Sequence, residues 1–299
     1  MLWQTARFQI DLSQPKIMGI VNLTPDSFSD GGQHVGLSVA LHHAEQLISQ
    51  GADMLDLGAE SSRPGAPPVS LEDELARLLP ILREAVKLGV PISVDTYKPQ
   101  VMQIALDAGA DIINDIWGFR RQDQGLSAAQ VVMQHGSCGL VMMHMHRDPQ
   151  TMQLDPMPET EDVVQRVKDD LLSFYEHLTH YLQRQEADLS KKARPQTPLH
   201  QRLLIDPGIG FGKTVAQNFA LLARQRELLA LGLPLLAGWS RKSSLGAVTG
   251  QDKANERVAA SVAAAVLALE RGASVVRVHD VRETAQALKV WRATRQTPV

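Results

Sequence analysis

Eight times along the chain, an apolar run of strand length gives way to an amphipathic stretch of helix length. The runs are IMGIVN (17 to 22), MLDLG (54 to 58), PISVD (91 to 95), DIINDI (111 to 116), GLVMMH (139 to 144), RLLID (202 to 206), PLLAG (234 to 238) and SVVRVH (274 to 279). Helical periodicity falls near 38 to 50, 70 to 88, 99 to 108, 126 to 135, 159 to 186, 216 to 230, 256 to 271 and 281 to 294. Such alternation is the mark of βαβ units around a parallel sheet. QGADMLDLG, LGVPISVD, AGADIIND and RGASVVRV each put a glycine where a helix must turn left-handed before the next strand. The 299 residues would allow one large domain or two. Eight uninterrupted rounds favour a single (β/α)8 barrel spanning 1–299, with a doubly wound open sheet as the alternative.

A parallel barrel builds its site at the C-terminal ends of its strands, so the residues that end them matter most. Here they are Asn22, the run ESSRPGAPP after strand two, Asp95, Asn114 and Asp115, Asp206 before PGIGFGKT, the run SRKSSLG after strand seven, and Arg277 with His279. The polar segment 185 to 201 precedes strand six and is expected as an exposed loop on the opposite face.

Taken singly, each of these has a plain explanation. Asp95 could cap the helix expected from Pro99. GIGFGKT misses the phosphate-loop pattern because Pro207 stands where glycine is required, and it misses the dinucleotide fingerprint at Lys213. HMHRD, 144 to 148, could present two imidazoles to a metal, but no further histidines follow at strands six or seven. Taken together, Asp95, Asn114, Asp206 and Lys242 would line the centre of the mouth and hydrogen-bond a flat ring rich in N–H groups and lone pairs. Arg63, Arg241, Arg277 and His279 would ring that centre with cations, and arginine forks suit phosphate oxygens. Since the net charge is only −3 with signs interspersed, an anionic partner must be met by such a local cluster, and general nucleic-acid binding is not expected.

The single cysteine, Cys138, excludes an internal disulfide. No apolar run approaches the roughly 18 residues needed to cross a bilayer, and MLWQTARFQIDLSQ lacks the order of a signal peptide. A cytoplasmic protein without membrane contact is therefore expected.

NLTPDSFSDGG, ESSRPGA, SVDTYKP, INDI, VMMHMH, DPGIGFGK, SRKS and RVHD follow one another in the order found in dihydropteroate synthases, from about residue 16 to 290. The chain thus resembles that pterin-binding family of (β/α)8 barrels, usually homodimers. They join 6-hydroxymethyl-7,8-dihydropterin diphosphate to 4-aminobenzoate with help from Mg²⁺, releasing pyrophosphate and 7,8-dihydropteroate. The resemblance implies a pterin pocket of Asp95, Asn114, Asp206 and Lys242 with apolar walls at Ile116, Met142 and Phe211. It implies that Asn22 serves the metal and the diphosphate, beside Ser62, Arg63, Arg277 and His279. Lys242 and Ser243 would meet the aminobenzoate, the start of the following helix favouring its carboxylate, and Phe28 and Pro64 would sit on loops that close over it. Asp95, Asp206, Arg63 and Lys242 would carry the catalysis, and sulfonamides would mimic the second substrate.

Ser62 stands where the family usually has threonine, keeping the hydroxyl and losing a methyl. A methyltetrahydrofolate:corrinoid methyltransferase shares the central pocket and is the nearest alternative. It has no diphosphate to bind, so Arg63 and the RVHD cations favour the synthase.

Overall fold

The computed structural model describes residues 1–23, 32–61, 65–187 and 197–296. Its frame is a closed barrel of eight strands: β1 (Lys16–Asn22), β2 (Met54–Gly58), β3 (Ile92–Asp95), β4 (Ile112–Asp115), β5 (Gly139–Met143), β6 (Leu203–Asp206), β7 (Leu235–Ala237) and β8 (Ala273–Val278). Every neighbouring pair is parallel, and β8 closes on β1 through Val276 opposite Ile17. The open-sheet alternative is thereby excluded.

Successive side chains of a strand point to opposite faces, and this sorts the barrel residues into two sets. Ile17, Leu55, Leu57, Val94, Ile113, Leu140, Met142 and Ile205 pack outward in the main core beneath the helices. Met18, Met54, Ile112, Val141, Leu204, Leu236 and Val275 fill the barrel's interior. One pleat above that interior layer, at the C-terminal end, come Asp56, Asn114, Met143, Asp206 and Arg277. The strand register sets Asn22 beside Gly58, Gly58 beside Asp95, and Asp95 beside Asn114.

The opposite end is closed by a hairpin of Leu2–Gln4 and Gln9–Asp11. Its Trp3, Ile10 and Leu12 join the interior cluster, and Trp3 Nε1 donates to the Arg202 carbonyl at 2.6 Å. Arg7 grips Asp111 through Nε at 2.8 Å and Nη2 at 2.6 Å, and Asp111 also accepts from the Ile92 N–H at 2.9 Å. Strands of three residues are too short to show a period-two pattern, so nothing in the sequence announced the hairpin.

The helices follow the expected order with shifted ends. A hairpin of Gln122–Asp123 and Leu126–Ser127 delays the fourth to Ala128. The helix expected over 216 to 230 stops at Ala223 and continues as a 3₁₀ stretch, Gln225–Leu231, ended by left-handed Gly232. Ser70 and Thr214 supply side-chain caps, the latter in a capping box with Gln217. The third helix, Pro99–Asp107, is entered through Lys98 rather than Asp95, which leaves Asp95 available at the mouth. The 188–196 part of the polar segment lies outside the described residues. Next to it, the Thr197 N–H donates to the Gly136 carbonyl just before β5, on the side away from the strand C-termini.

Candidate active site

At the centre of the mouth is Arg277, on an inward position of β8. Its Nε donates to Asp56 Oδ2 at 2.6 Å and its Nη2 to Asp95 Oδ2 at 2.8 Å. Asn114 Nδ2 donates to the same Asp56 oxygen at 3.2 Å. Four strands that are not all neighbours are thus tied together over the interior apolar layer. Asp56 is fully buried, and its other oxygen, Oδ1, has no partner. A buried carboxylate oxygen left unpaired is costly, which makes the spot one where a donor from a ligand would be favoured.

Asp206 ends β6 and accepts from the Gly208 N–H at 2.7 Å through Oδ1. Burial raises its pKa, against the opposing pull of that bond and of Lys242. Burial likewise pushes Asp95 up to about 7, with Arg277 pulling it down and Asp56 pushing it further up. Burial works against the charge on Arg277, yet the two carboxylates more than reverse it and raise its pKa.

The apolar wall is a second cluster at the same end: Ile116, Met143, Met145, Met152 and Phe211, flanked by Tyr97 and Trp117. Lys242 stands over it, Nζ 4.2 Å from the Phe211 ring centroid. Lys242 is also the N-cap residue of the helix Ser243–Thr249, a short element that the periodicity did not show. Ser243, its first residue, is exposed. Asn22 ends β1 with its side chain exposed on the rim. His279 Nδ1 lies 2.9 Å from Ser240 Oγ, which also accepts the His279 N–H at 3.1 Å.

The expected residues Asp95, Asn114, Ile116, Asp206, Phe211 and Lys242 therefore come together at the C-terminal mouth of the barrel. Phe28, Ser62, Arg63 and Pro64 lie outside the described residues. Three expectations are corrected. Met142 is not a pocket wall: it faces the helices in the main core, and its neighbour Met143 faces the mouth. Arg241 is not part of a cationic rim, because Asp280 holds it at 2.6 and 3.1 Å. Arg277 is turned down between two carboxylates, at the floor of the pocket rather than on its rim. Asp56 went unread as a site residue. The signal was there, an acid two residues above an interior methionine in an otherwise apolar strand.

Among the described residues, no group of three or more His, Cys, Asp or Glu is placed to hold a metal ion. That donor set suits Mg²⁺ only in its usual manner, with one or two protein oxygens and the rest supplied by water and substrate phosphate. The exposed amide oxygen of Asn22 fits that part. No described helix is long and apolar enough to cross a membrane.

The chain as a whole matches known proteins closely. The sequence pattern of the pterin binding enzyme family covers residues 18–279. The chain belongs to the pterin binding enzymes. Within that family it is 47% identical, over 298 residues, to the dihydropteroate synthase of Neisseria meningitidis serogroup B, covering 98% of this chain and 97% of that one. Burkholderia cenocepacia dihydropteroate synthase, solved with 7,8-dihydropteroate, superposes with a TM-score of 0.82 at 46% identity, covering 98% of this chain and 96% of that one. The Xanthomonas albilineans enzyme with 4-aminobenzoic acid gives 0.83 at 43% identity, over 97% of this chain and 96% of its own.

Proposed function

We infer that the chain is a transferase of folate biosynthesis that condenses 6-hydroxymethyl-7,8-dihydropterin diphosphate with 4-aminobenzoate to give 7,8-dihydropteroate and pyrophosphate. The observation that carries this is the pocket floor, where Asp56, Asp95, Asn114 and Asp206 surround Arg277. A pterin ring edge alternates N–H donors with acceptors and so matches a floor of carboxylates, an amide and a guanidinium. Its flat faces suit Ile116, Met143 and Phe211.

Breaking the C–O bond to the diphosphate puts positive charge on the pterin methylene and negative charge on the leaving group. Carboxylates near the ring favour the first, and Lys242 with His279, joined on the family resemblance by Arg63, favours the second. The aromatic amine is a weak nucleophile, so departure of pyrophosphate ahead of attack, an SN1-like displacement, needs no activated side chain. Mg²⁺, held by the diphosphate and Asn22, would offset the charge of the leaving group. Lys242 and Ser243 receive the aminobenzoate, Phe28 and Pro64 belong to the segments that would border it, and Ser62 would serve the diphosphate. A cytoplasmic homodimer belongs to the same reading, on the family resemblance.

The test is direct. Purified protein, the pterin diphosphate, labelled 4-aminobenzoate and Mg²⁺ should yield labelled dihydropteroate, and Asp95→Asn or Lys242→Ala should abolish turnover with the fold intact. Absence of product at micromolar enzyme would refute the assignment.

A further inference from the structure

Two motifs that the pocket leaves unused, the lysine of GIGFGK and the first histidine of HMH, meet each other directly behind it. Lys213 is buried, and its Nζ has three acceptors: His144 Nδ1 at 3.0 Å, the Gly208 carbonyl at 2.9 Å and the Phe211 carbonyl at 3.1 Å. Three acceptors match the three N–H bonds of an ammonium and so favour the charged form, although burial pulls the Lys213 pKa down to about 7. His144 is buried too, and burial, reinforced by the Lys213 charge, holds its pKa down to about 3. The ring is therefore neutral. With Nδ1 receiving the ammonium, its proton belongs on Nε2, which reaches Asp170 Oδ2 at 3.1 Å. Asp170, on the helix Val163–Ala187, is steadied from its other side by Arg166 Nε at 2.9 Å. Burial acts against its charge, but the bonds from His144 and Arg166 win and set its pKa at about 2.

The loop that Lys213 ties down lies flat on the end of β5. Gly208 and Gly212 have φ of 68° and 67°, and a Cβ on either would overlap a backbone carbonyl oxygen, that of His144 or that of His146. The same loop begins at Asp206 and carries Phe211, both pocket residues. Two of the three Lys213 bonds end on its backbone, at 208 and 211, and the Gly208 N–H in turn holds Asp206. Freeing Lys213 would release both carbonyls, and with them the Phe211 ring and the Asp206 carboxylate.

We propose that Lys213, His144 and Asp170 form a buried positioning chain that sets Phe211 and Asp206 against the pterin ring and so governs pterin affinity, leaving capture of the aminobenzoate untouched. This rests on the pterin reading of the pocket. The three residues act through others and touch no substrate.

Four proteins test it: the wild type, Lys213→Met, His144→Gln and His144→Asn. Binding of 6-hydroxymethylpterin is measured by calorimetry, and KM for each substrate is measured separately. Lys213→Met should weaken pterin binding by about tenfold or more and raise KM for the pterin diphosphate in parallel, with KM for 4-aminobenzoate within about twofold. His144→Gln, whose amide reaches only the Nε2 position, should behave like Lys213→Met. His144→Asn, whose Oδ1 takes the place of Nδ1, should recover to within about threefold of wild type. A purely structural role would cost both substrates alike and make the two histidine variants equivalent; either result overturns the proposal. So does pterin affinity in His144→Gln within about twofold of wild type, which serves should Lys213→Met fail to fold. Wild-type protein that binds the pterin but forms no dihydropteroate would sink the synthase assignment while the binding series still decides the positioning chain. Wild-type protein that does not bind the pterin would overturn both.

Discussion

Replacing Arg277 with methionine removes the cation that, among the described residues, Asp56 and Asp95 share, while keeping most of the side chain's volume. The lost bonds are 2.6 and 2.8 Å long, Asp56 is fully buried, and the Arg277 side chain is only 21% exposed. Taking away one partner of a buried pair costs about 3–5 kcal/mol, because the remaining charge is stranded. The fold has one escape, which is to protonate Asp95. In the wild type that carboxyl already stands at about 7 through burial. A carboxyl whose folded pKa lies above its unfolded value of about 3.9 gives up stability as pH rises, until the folded pKa is passed. With Arg277 present that loss is complete near pH 7. Without it the pKa climbs further and the loss continues, at about 1.4 kcal/mol for each additional pKa unit. Urea unfolding of both proteins at pH 6 and at pH 8 should therefore show a stability gap that is wider at the higher pH, by up to about 1.4 kcal/mol. Adding Asp95→Asn to both should remove the widening. A gap of equal size at the two pH values would mean that Arg277 does not set the charge state of Asp95.

Met142→Ala and Met143→Ala differ by one position and should fail in different ways. The first leaves a cavity in the outer core and should lower stability by about 2–5 kcal/mol in chemical denaturation with KM for the pterin diphosphate unchanged, whereas the second should raise that KM. Trp3→Ala should cost about 3–5 kcal/mol by the same assay, yet leave both KM values alone because the plug is at the far end of the barrel. Gly208→Ala should raise KM for the pterin diphosphate, since a Cβ there meets the His144 carbonyl and must lift the loop that carries Phe211.

The eight strands were legible because each is a short apolar run closed by a turn, and their boundaries agree to within a residue or two. The mouth was legible for a related reason, since polar residues at the ends of such runs have nowhere else to face. What was hidden had physical causes. In GLVMM every residue is apolar and buried, so periodicity is silent on whether Met142 or Met143 looks inward, and only the register of the closed barrel decides it. The partners of Arg277 are 221 and 182 residues away in sequence, and local pattern carries no trace of such distances. Lys213 and His144 each looked like a fragment of a known motif. Their meeting across 69 residues gives both fragments a part in one hydrogen-bonded chain.

The Trp3 hairpin has a kinetic corollary. With the lower end of the barrel filled by Trp3, Ile10 and Leu12 against the interior side chains, the described residues leave ligands the opening at the strand C-termini. The floor of that opening is the carboxylate and guanidinium cluster, whereas Lys242 and Ser243 stand above it. A molecule seated on the floor must enter before anything that settles over it and can leave only after the upper one has gone. If the pterin takes the floor and the aminobenzoate the place over it, as proposed above, binding in that fixed sequence is a property of the shape of the vessel.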